Sequence, residues 1–192
     1  MENKALHLFV GRSGAGKTTA ANHLESVFNT KQVFSYTTRK PRYDGEQGHI
    51  FITDDEFDKL DNIVAYTEYN GARYCTTKEQ LDNAIMYVID VDGIDVLLDR
   101  YVTERPIHIW YFDSSIITRI HRMTDRGDAD YAIVDRLIND EHCDWYDRLR
   151  ILVGYYQSFK NKYNVELHSV DADQPIHEVV YKIKEYMEEW CL

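Results

Sequence analysis

The clearest chemical signature in the sequence is a run of eight residues that matches G-x-x-x-x-G-K-[ST] at every fixed position. The run is Gly11-Arg12-Ser13-Gly14-Ala15-Gly16-Lys17-Thr18. Its glycines let the backbone adopt positive φ and approach an anion closely. Lys17 is placed to reach the β- and γ-phosphates of a nucleotide, and the Thr18 hydroxyl is placed to bind Mg²⁺. The pattern predicts a site for a nucleoside triphosphate formed by Ser13, Gly14, Ala15, Gly16, Lys17, Thr18 and Thr19.

The segments around this loop have the periodicity that such a site requires. Residues 5–10 form an apolar run typical of a buried parallel strand, and a helical pattern starts at Thr18. A helix N-terminus directs free N–H groups and its positive dipole end at a bound anion. Asp90 ends another apolar run, residues 86–91, where a carboxylate can support Mg²⁺ through water. An ordinary polar strand end is the alternative for Asp90.

A basic loop follows the next predicted strand, residues 32–36. Arg39 and Arg42 flank a proline in TTRKPR, so their guanidinium groups can converge on one anion. A solvated basic loop is the bland alternative. The position of the loop beside a phosphate-binding loop favours a second phosphate site.

A second group of arginines lies in the middle of the chain. Arg119, Arg122 and Arg126 are spaced i, i+3 and i+7, on one face of a predicted helix, and Arg136 follows the turn at Gly127. Such a stripe could bring positive charge to a transferring phosphoryl group, as a lid does. The alternative is an exposed face paired with the acidic residues Asp125, Asp128 and Asp135.

Composition narrows the class of protein. The 192 residues fit one domain, and the net charge of −11 argues against broad nucleic-acid binding. Three widely spaced cysteines and the lack of a signal-peptide pattern or membrane span indicate a cytoplasmic protein. His7 and His108, inside apolar runs, are interpreted as core histidines. His49 lies beside the basic loop, where it could contact a phosphate.

Strand-like runs alternate with helical ones, which predicts a three-layer α/β/α fold around a central parallel sheet. Two capping boxes, at Thr53 and Thr77, predict short helices, and Asn70-Gly71 predicts a hairpin. Residues 132–162 are predicted to be helical with a break near Gly154. The expected organisation is a core (1–36, 86–121, 138–192), a small mixed insertion (about 37–85) and a lid (about 122–137).

These segments together resemble the guanylate kinase family from about Leu6 to Leu137. The motifs are GRSGAGKTT, SYTTRKPR, DGEQGHIFITDDEF, NGARYCTT, VIDVDG and RMTDRG…DRL, in the family's order and spacing. The resemblance implies a P-loop kinase in which the core binds ATP, the insertion binds a nucleoside monophosphate and a lid closes over both. It implies Mg²⁺-dependent transfer of the γ-phosphoryl group of ATP to GMP or dGMP.

The resemblance also implies roles for individual residues. Ser35, Arg39 and Arg42 would hold the base and phosphate of the acceptor, and Tyr74 would contact the same phosphate. The remaining acceptor-binding residues would be Thr76 at the base, Asp92 at the ribose or base, and His49, where the family usually has a phosphate-binding tyrosine. The catalytic residues would be Lys17, Arg122, Arg126 and Arg136.

Two further departures concern the acceptor base. The family's guanine-reading glutamate falls on Ala65, and the nearby Glu68 would face the other side of its strand. Cys75 replaces a small glycine. From the resemblance, GMP or dGMP is the first choice of acceptor. Because of these departures, another (deoxy)nucleoside monophosphate or a small phosphorylated acceptor is kept as an alternative. A non-catalytic guanylate-kinase-like binding module and a P-loop switch are the other function classes. The expected partners are small-molecule nucleotides, with no nucleic acid or membrane, for a monomer or homodimer.

Overall fold

A five-stranded parallel sheet forms the centre of the protein. The computed structural model describes residues 4–41, 44–69, 71–140, 144–162 and 164–191, and of residues 190 and 191 it describes only the backbone. The strands of this main sheet are β1 (Leu6–Val10), β2 (Gln32–Val33), β7 (Met86–Val88), β8 (Ile107–Asp113) and β9 (Val165–Asp171). Their spatial order is β2-β7-β1-β8-β9, and every neighbouring pair is parallel.

The central strands of the main sheet are apolar on both faces, so helices cover the sheet on both sides. One face packs on α1 (Lys17–Phe28) and α8 (Ile176–Cys191), and the other packs on α4 (Val91–Arg100) and α7 (Trp145–Phe159). Side chains alternate between the two cores along β1, with Leu8 in one and Phe9 in the other. The three-layer α/β/α prediction is confirmed.

A second, mixed sheet is formed by residues 35–77. Its strands are β3 (Ser35–Thr37), β4 (His49–Phe51), β5 (Ile63–Tyr69) and β6 (Ala72–Thr77), in the order β4-β3-β6-β5. β5 and β6 are antiparallel neighbours, as the hairpin prediction requires, although Asn70 of the predicted turn lies outside the described residues.

Two short helices accompany this sheet, α2 (Asp54–Phe57) and α3 (Lys78–Asp82). Each begins with a complete capping box, from Thr53 to Glu56 and from Thr77 to Gln80. Both capping-box predictions are confirmed, because the reciprocal side-chain and backbone bonds depend only on residues three apart.

The prediction of one strand over residues 32–36 is wrong, because this segment divides between the two sheets. Val33 pairs with Tyr87 in the main sheet, whereas Ser35 pairs with His49 in the second sheet. Phe34 lies between the two pairings. Local apolar character did not distinguish two short strands from one longer one.

The helices after β8 also differ in one respect from the prediction. They are α5 (Ile116–Asp125), α6 (Asp130–Asp140) and α7. The expected break near Gly154 is wrong: α7 continues through Gly154 and starts at Trp145, with Asp144 as its N-cap. An isolated glycine costs a helix only about 1 kcal/mol, and burial of Leu149, Val153 and Tyr156 offsets that cost.

Among the described residues, every helix is too short or too polar to cross a lipid bilayer.

Candidate active site

The loop after β1 has the glycine geometry that its sequence predicts. Gly14 and Gly16 have φ of 79° and 93°, in the left-handed region that glycine tolerates best. A Cβ on Gly14 would lie 2.8 Å from the Arg119 carbonyl oxygen, so the loop packs directly against α5. The left-handed Gly16 forms the N-cap of α1 and directs the chain into the helix.

Lys17 is anchored to its own loop. Its Nζ donates to the carbonyl oxygens of Gly11 at 2.5 Å and Arg12 at 3.0 Å. Burial lowers the pKa of Lys17 to about 8, although the carboxylates of Asp140 and Asp90 act in the opposite direction. The ammonium group is therefore held at the loop before any phosphate binds.

One cavity, here called the loop cavity, lies over this segment and has a volume of about 600 Å³. It brings together nearly all of the predicted nucleotide and lid residues. From the described chain these are Ser13, Gly14, Gly16, Lys17, Thr18, Thr19, Arg122, Arg126 and Arg136. Ala15 is buried beneath it, and its carbonyl oxygen accepts a hydrogen bond from Arg122 Nη1 at 3.3 Å.

The predicted arginine stripe separates into two environments. Arg126 and Arg136 line the loop cavity and both donate to Asp128, with Arg136 Nη1 2.6 Å from a carboxylate oxygen. Arg119 instead points into the interior, where its side chain is 1% exposed and forms an ion pair with Asp140. Arg126 and Arg136 thus line the loop cavity and also form the pairing with Asp128 that the alternative expected, whereas the buried Arg119 fits neither interpretation.

A second cavity, here called the inner cavity, lies between the phosphate-binding loop and the second sheet, with a volume of about 220 Å³. Three predicted acceptor residues line it: Ser35, His49 and Tyr74. Ser35 Oγ lies 2.9 Å from His49 Nδ1, and the His49 and Tyr74 rings meet edge to face at a centroid distance of 5.7 Å. Its aromatic lining also includes residues that sequence reasoning missed, namely Tyr66, Tyr69, Tyr87 and Trp145.

Arg39 lies beside the inner cavity rather than in its lining. Its guanidinium forms a two-pronged ion pair with Glu46, at 2.9 and 3.0 Å, and lies 5.2 Å from the centre of the Phe51 ring. The hydrogen bonds to Glu46 raise the pKa of Arg39 against the effect of burial, and Tyr74, which does line the cavity, adds to this rise. Arg42 falls outside the described residues.

Two other predicted acceptor residues do not line the inner cavity. Thr76 is fully buried within the second sheet. Asp92 is exposed in the first turn of α4 and forms an ion pair with Arg148 of α7 at 2.6 Å. Asp92 points away because α4 begins at Val91, so positions 90 and 92 do not share one side as they would in a strand.

The departures from the guanylate kinase pattern cluster at the inner cavity. Ala65 is 1% exposed and lines the cavity, whereas Glu68 is exposed outside it and accepts a hydrogen bond from Tyr66. The irregular register of β5 lies between Ile63 and Ala65, so it does not bring Glu68 inward. Cys75 is a buried free thiol, and burial raises its pKa to about 12.

The donor set near Lys17 fits a magnesium ion. Asp90 lines the inner cavity, and its Oδ1 accepts the Gly93 N–H at 2.6 Å, which fixes the carboxylate. Burial raises the pKa of Asp90. Thr18 offers an exposed hydroxyl in the loop cavity. A hydroxyl and a carboxylate oxygen are the hard ligands that Mg²⁺ prefers.

Asp140, at the end of α6, is a site residue that sequence reasoning missed. One of its carboxylate oxygens accepts the Ser13 N–H at 2.7 Å and the Arg119 guanidinium at 3.2 Å. Its backbone carbonyl accepts from Arg12 Nε at 3.4 Å. Asp140 therefore binds the phosphate-binding loop to α5 and α6, although no sequence motif contains it.

Comparisons with known proteins agree with the resemblance found in the sequence. The chain is 32% identical over 100 residues to a guanylate kinase of Fusobacterium nucleatum subsp. nucleatum, an alignment that covers 46% of this chain. The alignment spans 54% of the length of that relative, about half. No protein-family model matches the chain.

One solved structure extends the likeness in fold to nearly the whole chain. A guanylate kinase from Anaplasma phagocytophilum superimposes with a TM-score of 0.54 over 98% of this chain and 87% of its own, at 14% identity. A deoxyadenosine kinase from M. mycoides with bound dATP gives a TM-score of 0.45 at 12% identity, over 96% of this chain and all of its own. The chain is thus similar in sequence to a guanylate kinase over about half of its length, and it shares the fold of a guanylate kinase over nearly all of it.

Proposed function

We propose that this protein is a nucleoside monophosphate kinase that transfers the γ-phosphoryl group of ATP to an acceptor phosphate, with GMP or dGMP as the first choice. The observation that carries the proposal is that the two cavities meet at Lys17. Ser13, Lys17, His49 and Tyr69 line both of them. A donor phosphate in the loop cavity and an acceptor phosphate in the inner cavity would approach each other across this shared wall.

In this proposal the loop cavity holds the phosphates of ATP. The loop N–H groups and Lys17 bind the β- and γ-phosphates, and Arg122, Arg126 and Arg136 add positive charge along the opposite wall. Mg²⁺, bound by Thr18 and through water by Asp90, would supply further neutralisation of the phosphate charge. An ionised acceptor oxygen forms the new bond to the γ-phosphorus as the bond to the β-phosphate oxygen breaks, so transfer needs mainly positioning and charge.

The acceptor phosphate is assigned to Arg39 and Tyr74, together with Arg42 from the resemblance. Arg39 already forms a planar pair with a carboxylate, Glu46, and the same geometry binds a phosphate. The acceptor base is assigned to the part of the inner cavity lined by Ser35 and Ala65. Thr76 is left out of this assignment because it is fully buried within the second sheet, and Asp92 because it is paired with Arg148 away from the cavity.

The remaining parts of the proposal concern the whole chain. We assign the core to residues 1–36, 86–121 and 138–192, the insertion to about 37–85 and the lid to about 122–137, as the sequence predicts. A cytoplasmic location, nucleotides as the partners and a monomer or homodimer stay predictions.

The decisive experiment measures ADP formation from Mg-ATP with a panel of ribo- and deoxyribonucleoside monophosphates. Wild-type protein should turn over GMP or dGMP, and Lys17→Ala should lower turnover by orders of magnitude while the fold is retained. Turnover on another acceptor would support the proposed kinase activity and would change the assignment of the acceptor base. Folded protein that binds ATP but turns over no acceptor would overturn the proposal and favour a binding module.

A pair of neighbouring variants tests the acceptor assignment. Arg39→Ala should raise the KM for the acceptor far more than the KM for ATP, because it removes a contact to only one substrate. Lys40→Ala is the matched control: it removes an exposed charge from the same loop and should leave both constants near wild type. Equal changes in both KM values for Arg39→Ala would contradict the two-site assignment.

A further inference from the structure

A compact cluster of histidine and glutamate side chains lies at the other end of the main sheet from the phosphate-binding loop. His108 is the second residue of β8, and Glu166 and His168 lie on β9. In the register of these strands His108 is opposite Glu166, and Trp110 is opposite His168. All three ligand-type side chains therefore lie on one face of the sheet, and the proposed kinase reaction uses none of them.

The atoms of this cluster are spaced as the ligands of one metal ion are. His108 Nδ1 lies 3.2 Å from His168 Nε2, and each of these nitrogens lies 3.6 Å from Glu166 Oε2. Three atoms at these separations share a point about 2.0–2.2 Å from each, which matches Zn–N and Zn–O bond lengths. We propose that His108, Glu166 and His168 form a binding site for a zinc-type divalent ion.

The surroundings hold the three ligands in place. The Tyr186 hydroxyl of α8 donates to Glu166 Oε2 at 2.9 Å, the kind of outer contact that orients a metal-binding carboxylate. The His168 ring stacks on Trp110 at a centroid distance of 4.5 Å, and the His108 ring stacks on His7 at 5.2 Å. These contacts reduce the conformational entropy that metal binding would otherwise cost.

Exposure differs across the cluster in a way that allows an ion to enter. His108 is 3% exposed, whereas the Glu166 side chain is 52% exposed. An ion can reach the site from the Glu166 side, and a water can complete a tetrahedral set there. Burial lowers the pKa of both His108 and His168.

The ligand types select the class of metal. Two imidazoles with one carboxylate suit Zn²⁺, whereas Mg²⁺ and Ca²⁺ prefer sets of oxygen ligands. The site would therefore be independent of the Mg²⁺ used with ATP. Because its residues come from β8 and β9 and are supported from α8, a bound ion would stabilise the packing of α8 against this end of the sheet.

Metal titration of protein stripped with a chelator tests the proposal. Co²⁺ should give the visible absorption of a tetrahedral site, saturating at one ion per chain, and Zn²⁺ should raise the Tm. Mg²⁺ at the same concentration should leave the Tm unchanged. Absence of both a saturable Co²⁺ spectrum and a Zn²⁺-dependent Tm shift would overturn the proposal and leave a hydrogen bond between the two histidines.

Matched variants locate the ion. His168→Gln and Glu166→Gln should each weaken Co²⁺ binding by about 100-fold or more, because each removes a direct ligand. Glu166 is half-exposed, so its variant should fold even if His168→Gln does not. His23→Gln, an exposed histidine on α1, is the control and should bind Co²⁺ as wild type does. Equal Co²⁺ affinity in Glu166→Gln and wild type would place the ion elsewhere and overturn the site.

Kinase turnover has no part in these readouts, so the metal-site proposal and the kinase proposal are tested separately.

Discussion

The fold fixes the position of the Lys17 ammonium group and lowers its pKa. Its ammonium group donates to two loop carbonyls, and burial lowers its pKa to about 8 from an ordinary value of 10.5. A phosphate would replace weak carbonyl partners with full negative charges, which stabilise the ammonium form. Binding of ATP should therefore raise the pKa of Lys17.

This shift predicts a pH dependence of ATP affinity. Above about pH 8 the free protein has lost the Lys17 proton, so binding must take one up, and affinity should fall by up to about tenfold per pH unit. Calorimetry with a non-hydrolysable ATP analogue, in buffers of different ionisation enthalpy, measures the proton uptake. Lys17→Arg keeps the charge but does not titrate in this range, so it should show almost none. Equal proton uptake by the two proteins would contradict the assignment to Lys17.

The same low pKa has a consequence for stability. Between about pH 8 and the ordinary pKa of 10.5, the unfolded chain binds the Lys17 proton and the folded chain does not. The contribution of this group to the free energy of unfolding of the ligand-free protein therefore rises with pH across that window.

Ala65 is the residue at which acceptor selectivity can be tested. It lines the inner cavity where the guanylate kinase pattern has a glutamate. Ala65→Glu should raise the ratio of kcat/KM for GMP to that for other acceptors by about tenfold or more, because a carboxylate can accept from the guanine N–H groups. Glu68→Ala, outside the cavity, is the matched control and should leave that ratio unchanged. An unchanged ratio in Ala65→Glu would count against the alignment.

At the scale of elements, the loop, α5 and α6 are joined by one buried ion pair. Arg119 and Asp140 have side chains that are 1% and 4% exposed, and the same carboxylate accepts the Ser13 N–H. Removing both charges from water is costly, so the pair is not by itself a large source of stability. Its consequence is positional, since it fixes the end of α6 against the phosphate-binding loop and α5.

The buried pair predicts a strongly non-additive mutant cycle. Asp140→Ala removes the carboxylate that pairs with the buried Arg119 charge and should lower the free energy of unfolding by about 3–5 kcal/mol. The double variant Arg119→Met, Asp140→Leu should lose much less, because no buried charge is left. Urea denaturation measures each value, with Asp130→Asn on the exposed side of α6 as the control. Additive losses would contradict a coupled pair.

At the scale of the whole molecule, the two sheets place two cavities on either side of one lysine. The loop cavity belongs to the main sheet and α5–α6, and the inner cavity lies between the loop and the second sheet. The chain crosses between the sheets at Phe34, so the second sheet starts directly beside the main one. In the proposed kinase, two nucleotides would then bind with their phosphates adjacent.

This arrangement predicts tight binding of a compound that joins two nucleosides through a chain of phosphates. Adenosine linked in this way to guanosine should bind about 100-fold or more tighter than ATP, because the second half binds intramolecularly. Calorimetry measures both affinities. Arg39→Ala should remove most of that gain and leave ATP binding unchanged, with Lys40→Ala again as the control. A linked compound no tighter than ATP would show that the two cavities are not occupied together.

The sequence by itself determined the features that depend on neighbouring residues. The phosphate-binding loop, the two capping boxes and the apolar strands arise from side chains a few positions apart, so local spacing was sufficient. The layer order also followed, because parallel strands must be joined by crossover helices. Of the site, the residues on the loop and on α5 could be named in advance for the same reason.

Only the tertiary structure decided which distant residues meet. It brought Asp140 to the Ser13 N–H, 127 positions away, and turned Asp92 toward Arg148 instead of a cavity. It also gathered His108, Glu166 and His168 on one face of two strands, where the sequence had indicated only a core histidine at position 108. The physical reason is that strand order and register set these contacts, and neither is written in the periodicity of any one segment.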